Sequence, residues 1–507
     1  MILYNRLGEA GISGGRFRMP CKNYWTGRLV AFVVLTALGA NCASAQTPAT
    51  GDSRRLVPPQ PPSICKTLPA QLQSGPRVFS SRLEHNPPDT TRIQSAMNAC
   101  TQAPGRPSVA VLLSPSGLNN AFLSGPLVIP SGVVLLLARN VTLFASNNPS
   151  SYQISSKSPC GTVETTDDGC APFIAVAGDN AGIMGAPDTE SAEPTPSPRP
   201  LGTIDGRGDV NLYGQSISWW DVSTAAYSAH LKQNNPRMIE AHNVNNFTLA
   251  SIRLINAPLS HVYFEGGDGF TAWGVRIKTP ANTHNTDGID SDSATNITIT
   301  HCDIQDGDDG VAIKTNSGTT SNITVANSNF YGTHGISIGS QTQYGVSNVL
   351  VSNNTISGMD SSGILSSDNN GIRIKTDSSS GGPVTQVLYT GICMTNVKHA
   401  IVFTPFYSKG NNSTIPDLTN IVVNSVKSVN SPPGASSLLE GYSAMDPLGL
   451  IVENVQLDAP LANGQYATIG LFNTNLNPAG FDVITYPYSG AGSVPACSQF
   501  PVYPPLE

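Results

Sequence analysis

The chain has 507 residues, of which only 12% are Asp, Glu, Lys or Arg, and its net charge is −7. The 48 Gly and 39 Pro residues exclude a helical bundle or a coiled coil, which would be rich in Ala, Glu, Lys and Leu. The negative charge argues against a nucleic-acid partner. The composition favours a β-rich, loop-rich protein that is long enough to bury a large core.

The first 45 residues have the pattern of a signal peptide. Basic residues precede the apolar run LVAFVVLTALGA (Leu29 to Ala40), and an A-x-A cleavage site ends at Ala45. The alternative, a membrane anchor, is weaker because the apolar run is too short to span a bilayer. We therefore expect a secreted protein, with residues 1–45 as the signal peptide and residues 46–507 as the mature domain, without membrane association.

Seven of the nine cysteines follow this leader. Cys160 and Cys170 bracket a polar loop and are expected to pair, and Cys65 can pair with Cys100, although spacing alone does not fix the connectivity. Cys302 lies where a strand interior is expected, so we interpret it as a small buried apolar group.

One segment, PPDTTRIQSAMNAC (Pro87 to Cys100), is the only one with a convincing helix pattern. Asp89 or Thr90 can cap its N-terminus, and apolar side chains recur on one face. From Val109 onward, short β-branched runs alternate with Gly, Asn, Ser and Asp turns, which is typical of strands. The Pro- and Ser-rich segment Pro187 to Pro200 is expected to be a surface loop.

A repeat runs through the second half of the chain. Asn296, Asn322 and Asn348 begin similar strand-like runs at intervals of 26 residues, and Asn246 and Asn420 begin related runs. A unit of this size built from short strands predicts a parallel β-helix, with one coil per repeat. The recurring Asn is expected to occupy stacked turns whose side-chain amides hydrogen-bond from coil to coil.

The repeat allows the coils to be aligned. Each coil has inward-facing aliphatic or aromatic residues in register, namely Ile289, Val311/Ile313, Ile336/Ile338, Ile372/Ile374 and Ile401/Phe403. Because side chains alternate between the faces of a strand and stacked strands lie about 4.8 Å apart, residues two positions before the first aliphatic should line up outside. This alignment predicts a column of Asp287, Asp309 and His334 on one outer face, with Arg373 and Lys375 one coil further along.

The column has the composition of an acid/base site. Asp308, next to Asp309, would point inward, but the glycines on either side of the pair allow a bulge or a turn that directs both carboxylates outward. Carboxylates this close repel, which raises one pKa and leaves an acid beside an ionised base, as glycoside hydrolysis requires. Arg373 and Lys375 indicate an anionic substrate because Arg binds carboxylates in bidentate fashion.

An Asp next to Gly in a β-rich protein usually caps a turn. We therefore interpret the remaining aspartates of this region as turn and surface residues, namely Asp290, Asp292, Asp303 and Asp306.

Four short motifs occur in order along the chain: NTDG (Asn285 to Gly288), GDD (Gly307 to Asp309), THG (Thr333 to Gly335) and RIK (Arg373 to Lys375). Together they resemble the polygalacturonases of glycoside hydrolase family 28, the bacterial secreted members above all. Flanking segments such as TTRIQSAMNAC and GISIGS extend the resemblance over most of the mature chain. It implies an all-β fold, a right-handed single-stranded parallel β-helix with a short N-terminal capping helix. It also implies hydrolysis, with inversion, of α-1,4 bonds between galacturonic acid units of pectin or polygalacturonate.

The resemblance implies roles for the acidic residues. Asp308 resembles the general acid, Asp287 and Asp309 resemble the pair that activates water, and His334 resembles the histidine that supports the protonation of the acid. Thr333 stands where the family usually has Gly or Ser.

The resemblance also implies a substrate-binding set. Arg373 and Lys375 resemble the residues that bind the galacturonate carboxylate, and Tyr407 falls where a tyrosine closes the site. Asn285 is the further expected substrate contact. The segment TPFY (Thr404 to Tyr407) departs from the usual Gln-x-Tyr. The resemblance implies no cofactor and no metal, and polygalacturonate is the expected partner of a monomer.

Several alternatives remain open. Endo action is preferred, but exo action and a related rhamnogalacturonan or xylogalacturonan hydrolase belong to the same family. A Ca²⁺-dependent pectate lyase would use the aspartates as metal ligands and Arg373 as the base. A non-catalytic β-helical carbohydrate binder would need no acid column.

Overall fold

The computed structural model of the protein describes residues 49–75, 77–187 and 201–505. These residues fall within one compact unit, Gln46–Glu507. The predicted signal peptide and nearly all of the predicted loop Pro187 to Pro200 lie outside the described residues. None of the helices in the described ranges is long and apolar enough to cross a membrane.

Three α-helices occur in the described ranges: α1 (Ser81–His85), α2 (Thr90–Ala99) and α3 (Trp219–Ala229). Helix α2 confirms the predicted helix, and its apolar face joins the interior core at the N-terminal end of the coils. Asp89 precedes it, but its side chain does not cap the helix. Asp89 instead accepts a hydrogen bond from the Leu123 amide at 2.9 Å.

The expectation of a single convincing helix is wrong, because α3 is a regular helix of 11 residues. Its N-terminus forms a capping box in which the Ser218 hydroxyl accepts from the Asp221 amide and the Asp221 side chain accepts from the Ser218 amide. This arrangement satisfies backbone donors that the first turn would otherwise leave unpaired.

Short strands make up most of the rest. In chain order they are β1 (Ile64–Pro69), β2 (Val109–Ser114), β3 (Ala121–Ser124), β4 (Leu127–Ile129), β5 (Val133–Leu137), β6 (Thr142–Ala145), β7 (Val163–Glu164), β8 (Ile174–Val176), β9 (Gly182–Gly185), β10 (Thr203–Asp205), β11 (Lys232–Gln233), β12 (Ile239–His242), β13 (Phe247–Ala250), β14 (Arg253–Ile255), β15 (Val262–Glu265), β16 (Asp268–Trp273), β17 (Arg276–Lys278), β18 (Ile289–Asp292), β19 (Thr295–Thr300), β20 (Asp303–Gln305), β21 (Val311–Lys314), β22 (Thr320–Ala326), β23 (Asn329–Tyr331), β24 (Ile336–Ile338), β25 (Val346–Ser352), β26 (Thr355–Ser357), β27 (Asn370–Asp377), β28 (Pro383–Thr395), β29 (His399–Ser408), β30 (Asp417–Val429), β31 (Ser437–Glu440), β32 (Leu448–Gln456), β33 (Leu461–Thr474) and β34 (Asn477–Pro487).

The strands pair in parallel and form three long stacks, so the predicted parallel β-helix is confirmed. One stack, called the site stack below, contains β4, β8, β12, β15, β18, β21, β24, β27, β29 and β31. A second stack runs from β1 and β2 through β13 and β19 to β28 and β32. A third runs from β3 and β6 through β17 and β20 to the end of β28. Strands β7 and β11 pair separately, antiparallel to each other.

The predicted register of the site stack is confirmed. Ile289, Val311, Ile336, Ile372 and Ile401 lie side by side on successive strands. All of them are buried in the interior, where their removal from water stabilises the coil stack.

The predicted asparagine ladder is present in the second stack. The Asn322 side-chain amide donates to Asn296 Oδ1 at 3.0 Å, and that of Asn348 donates to Asn322 Oδ1 at 2.8 Å. All three residues have φ between 55° and 61°, a left-handed conformation that Asn tolerates better than most residues. Each asparagine of the ladder therefore contributes a hydrogen bond between coils and also adopts the left-handed backbone conformation of its turn.

Three disulfides connect the described residues. Cys65–Cys100 and Cys160–Cys170 match the expected pairs, and Cys302 is a buried free thiol as expected. The third bridge, Cys393–Cys497, joins β28 to the C-terminal tail. Further along the tail, the Tyr503 hydroxyl donates to the Ile277 carbonyl at 2.8 Å, so the tail runs back along the coils.

Candidate active site

The turns before the site strands hold the predicted column together. The Gly288 amide donates to the Asp309 carbonyl at 2.9 Å, and the Gly310 amide donates to the Gly335 carbonyl at 3.0 Å. These coil-to-coil bonds continue the parallel ladder past the strand ends. They place Asp287, Asp309 and His334 at equivalent positions of three successive coils, as the alignment predicted.

The His334 ring contacts Asp308 rather than its column neighbour. His334 Nδ1 lies 3.1 Å from Asp308 Oδ1, and the His334 amide donates to the Asp308 carbonyl at 2.6 Å. On the other side, the Asn285 side-chain amide donates to Asp308 Oδ2 at 3.1 Å, and Gln233 donates to Asn285 Oδ1 at 3.0 Å. Asp308 is thus held from both sides, and its side chain remains 17% exposed.

The two carboxylates of the GDD motif lie in a turn between β20 and β21, one of the two local structures that the flanking glycines allow. Asp308 is still turned outward, because the turn breaks the alternation of faces. Gly307 is required by close packing: a Cβ there would lie 1.9 Å from the Thr283 carbonyl oxygen. Asp306, one residue earlier, accepts from the Asp308 amide at 3.0 Å.

Asp290, Asp292 and Asp306 were expected to be turn and surface residues, and that expectation is wrong, because all three are buried. Asp290 accepts from Lys314 Nζ at 3.1 Å, and Asp292 accepts from the Tyr263 hydroxyl at 2.9 Å. On the outer face of the site stack, the side chains of Lys314 and Tyr263 from adjacent coils cover these two aspartates. Of the four aspartates so interpreted, only Asp303 is partly exposed.

Asp309 faces two cations. Lys375 Nζ lies 2.8 Å from Asp309 Oδ2, and an Arg373 guanidinium nitrogen lies 3.5 Å from Asp309 Oδ1. The Ser337 hydroxyl also donates to Asp309 Oδ1, at 2.7 Å. Burial alone would lower the pKa of Lys375, but the charge of Asp309, together with those of Tyr407 and Asp308, raises that pKa above its ordinary value.

Arg373 has a second acidic partner that the sequence analysis did not identify. A terminal guanidinium nitrogen lies 2.8 Å from Asp368 Oδ2. Tyr407 covers both cations, since its ring centroid lies 5.2 Å from Arg373 Cζ and 4.8 Å from Lys375 Nζ. The structure thus brings Tyr407 and the two cations together, and leaves Tyr407 49% exposed.

The electrostatic environment shifts the pKa values of Asp308 and Asp287 in opposite directions. Burial alone would raise the pKa of Asp308, but the hydrogen bond and charge of His334 and the charge of Lys375 hold it below its ordinary value. Burial lowers the pKa of His334, but the hydrogen bond and charge of Asp308 outweigh this and raise it. Burial, followed by the charges of Asp290 and Asp308, raises the pKa of Asp287 well above its ordinary value. Within the Asp308–His334 pair these shifts favour the proton on the imidazole rather than on Asp308, and burial makes Asp287 easier to protonate than a free aspartate.

A cleft of about 880 Å³ opens over these groups. Six predicted residues line it, namely Asn285, Asp287, Asp308, Asp309, Lys375 and Tyr407, whereas His334 and Arg373 lie behind this lining. The cleft is also lined by Lys314, Arg237 and Tyr263. Lys314 Nζ lies 3.8 Å from Asp287 Oδ2, and its outward position one residue after an inward aliphatic was visible in the alignment. Arg237, whose Cζ lies 4.5 Å from the Tyr263 ring centroid, gave no periodic signal.

Asp308, Asp309 and His334 offer potential ligand atoms that all lie within 4.8 Å of one another, so these residues could hold a metal ion. Their surroundings favour an anion instead. Lys375 and Arg373 place positive charge beside Asp309, and the raised pKa of His334 opposes the neutral imidazole that a metal needs.

Comparison with known proteins identifies the group to which this arrangement belongs. The model of the family described as glycosyl hydrolases family 28 matches residues 200–473. An endo-polygalacturonase of Pectobacterium carotovorum subsp. carotovorum is 40% identical over 86% of this chain and 96% of its own length. A polygalacturonase of Ralstonia solanacearum is 35% identical over 91% of this chain and 90% of its own. The solved structure of the polygalacturonase from Erwinia carotovora ssp. carotovora superposes with a TM-score of 0.69 at 38% identity, and the match covers 84% of this chain and 100% of that one.

Proposed function

The chain belongs to glycosyl hydrolase family 28, and from this membership we propose that it is an endo-acting polygalacturonase that hydrolyses α-1,4 bonds between galacturonic acid units. The similarity to an endo-polygalacturonase, at 40% identity over 86% of the chain, supports the substrate and the endo action. The observation that carries the proposal is the pairing of Asp308 with His334 at 3.1 Å, beside the Asp309–Lys375 contact at 2.8 Å.

Asp308 is the proposed general acid. In the free protein the pair of Asp308 and His334 holds one proton, which resides on the imidazole. A bound galacturonate carboxylate neutralises Lys375, whose charge lowers the pKa of Asp308, and the sugar excludes water. Both effects raise the pKa of Asp308, and the proton passes from His334 to the carboxylate. Asp308 then protonates the glycosidic oxygen as the bond from C1 to that oxygen breaks.

Asp287 and Asp309 are the proposed groups that activate water. They occupy equivalent positions of adjacent coils, so one water molecule between them can be oriented toward C1 from the face opposite the leaving group. As its oxygen bonds to C1, the water passes its proton to a carboxylate of this pair, and the configuration at C1 inverts. Lys314, which lies 3.8 Å from Asp287, stabilises the ionised form of that base.

Substrate binding is assigned to the cationic side of the cleft. Lys375 and Arg373 bind the galacturonate carboxylate, and the exposed ring of Tyr407 packs against the sugar. Asn285 donates to Asp308 Oδ2 at 3.1 Å, so its proposed role is to orient the acid as well as to contact substrate.

Measuring reducing ends and ultraviolet absorbance in the same reaction tests the proposal. The mature protein is incubated with polygalacturonate in two parallel reactions, one with Ca²⁺ and one with EDTA. We expect reducing ends without a new absorbance, and products of several sizes early in the reaction, because an endo enzyme cuts within chains. An absorbance that EDTA abolishes would identify a Ca²⁺-dependent lyase, and release of only mono- or digalacturonate would identify an exo enzyme.

We also propose that the chain is exported and works as a monomer. The support for export is the leader pattern that ends at Ala45. Determination of the N-terminus of protein recovered from the culture medium should give Gln46, and light scattering should give the mass of one mature chain. An N-terminus before Gln46 would contradict the predicted cleavage of the signal peptide. A mass that is a multiple of one mature chain would contradict the monomer.

A further inference from the structure

One carboxylate of this chain, that of Asp368, contacts a residue that is proposed to bind the substrate carboxylate. Asp368 Oδ2 lies 2.8 Å from a terminal nitrogen of Arg373, whose own side chain is only 5% exposed. The Asp368 side chain is 45% exposed. It therefore contacts the cation from the solvent side, the side from which a substrate would approach.

Asp368 is held in this position by its neighbours. The Asn370 side-chain amide donates to Asp368 Oδ1 at 2.9 Å and to the Asp368 carbonyl at 3.0 Å. Burial would raise the pKa of Asp368, but the charge of Arg373 and the hydrogen bond from Asn370 hold it below its ordinary value. The preceding residue, Ser367, lies with its hydroxyl 3.4 Å from His334 Nε2. Ser367 and Asp368 thus contact His334 and Arg373, respectively.

We propose that Asp368 is a specificity-determining residue that weakens the requirement for a free carboxylate at the Arg373–Lys375 subsite. The proposal rests on the proposed function. A galacturonate carboxylate that reaches Arg373 meets the negative charge of Asp368, and it must share the guanidinium or displace that side chain. A methyl-esterified sugar carries no charge and meets no such repulsion. Asp368 therefore narrows the difference in binding between the acid and its methyl ester.

Asp368→Asn removes the charge and keeps the shape of the side chain. We expect the variant to bind tetragalacturonate two- to fivefold more tightly than the parent does, with little change for the fully methyl-esterified tetramer, because exposed ion pairs are worth roughly this much. Both proteins carry Asp308→Asn, so that the ligand is not consumed, and the dissociation constants are measured by calorimetry.

Asp209→Asn is the matched control. Asp209 also pairs with an arginine at 2.8 Å, and its side chain is 34% exposed, but its partner Arg77 is not one of the proposed substrate-binding residues. The Asp209→Asn substitution should leave the affinities for tetragalacturonate and for its methyl ester unchanged. The same substitutions are then made in the active protein, where Asp368→Asn should raise kcat/KM on polygalacturonate relative to methyl-esterified pectin by a similar factor.

The outcomes separate this inference from the proposed function. Equal ratios of acid to ester affinity in Asp368→Asn and its parent would overturn the inference, as would the same change in Asp209→Asn. Binding of tetragalacturonate without cleavage by the active protein would overturn the proposed function and leave the inference standing. Failure of the parent to bind tetragalacturonate would overturn both.

Discussion

His334 Nδ1 lies 3.1 Å from Asp308 Oδ1, so the histidine of the column is bonded to the residue that resembles the general acid. The contact lowers the pKa of Asp308 and raises that of His334. In the proposed mechanism, the proton that Asp308 donates is therefore held on His334 until substrate binds. This arrangement makes the activity depend on the protonation of His334 as well as on the carboxylates.

Replacement of Asp308 by Asn should lower kcat on polygalacturonate by at least about a hundredfold, since general acid catalysis contributes this much or more. Binding of tetragalacturonate should be retained, and the loss of stability should be smaller than in Asp292→Asn, because the Asp308 side chain is 17% exposed whereas Asp292 is buried. Asp303→Asn is the control from the same stretch of sequence, and it should keep full activity. A loss of turnover that is equal in the two variants would contradict the role of Asp308.

The pH dependence of kcat/KM should have a basic limb above the ordinary histidine pKa of 6.5. His334 faces Asp308, Asp309 and Asp368, whose charges raise its pKa, and activity should fall as pH rises through that raised value. Asp368→Asn removes one of these charges, so its basic limb should move to lower pH. A limb at or below pH 6.5, or one that does not move in Asp368→Asn, would contradict this assignment.

Asp306 should lower the stability of the fold as pH rises. Burial raises its pKa well above 3.8 despite the hydrogen bond from the Asp308 amide, and its Oδ2 atom has no hydrogen-bond partner within the described ranges. Below about pH 4 the group is protonated in both states. As pH rises toward the raised pKa, the unfolded chain releases the proton and the folded chain does not, so the free energy of unfolding falls by up to about 1.4 kcal/mol per pH unit.

Asp306→Asn should therefore show a smaller loss of stability than the wild type between pH 4 and pH 7. Urea unfolding at several pH values measures this difference. Parallel curves for the two proteins would mean that Asp306 is ionised in the folded state, contrary to the prediction.

Asp292→Asn should destabilise the fold, although the sequence pattern suggested an inert surface residue. The buried carboxylate accepts from the Tyr263 hydroxyl at 2.9 Å and from the Asn316 amide at 2.7 Å, and also from the Asn316 side chain. An amide group would turn a donor toward one of these donors, at a cost of about 1–3 kcal/mol. Chemical denaturation should show this loss, and Asp303→Asn, which is partly exposed, should show less. Equal stability of the two variants would contradict the buried position of Asp292.

The periodic part of the fold could be predicted from the sequence because each coil repeats the same constraints. Ile289, Val311 and Ile336 set the register, and the register alone places Asp287, Asp309 and His334 in one column. The asparagine ladder follows from the same 26-residue interval. The position of Asp308, by contrast, depends on a turn that breaks the alternation of faces.

The rest could not be predicted because it depends on contacts that do not repeat. Asp368 lies in the segment between β26 and β27, which is longer than the corresponding segment between β23 and β24. The repeat therefore does not predict its contact with Arg373. The third disulfide depends on the tail returning to Cys393 from far along the chain. Asp290 is buried because Lys314 folds over it. The alternation of faces predicts that Asp290 points away from the interior, but it does not predict which side chains cover it there. Helix α3 had a readable signal, the serine and aspartate of its capping box.

The anomeric configuration of the first product is the most direct test of the central claim, that the aspartate column hydrolyses the bond by a single displacement. Proton NMR is recorded within minutes of mixing the protein with polygalacturonate, before the new reducing ends equilibrate. The account predicts the β-anomer, because water activated by Asp287 and Asp309 attacks opposite the bond that Asp308 protonates. The α-anomer would mean a covalent intermediate, and the vinyl proton of an unsaturated product would mean elimination; either would contradict the roles assigned to the three aspartates.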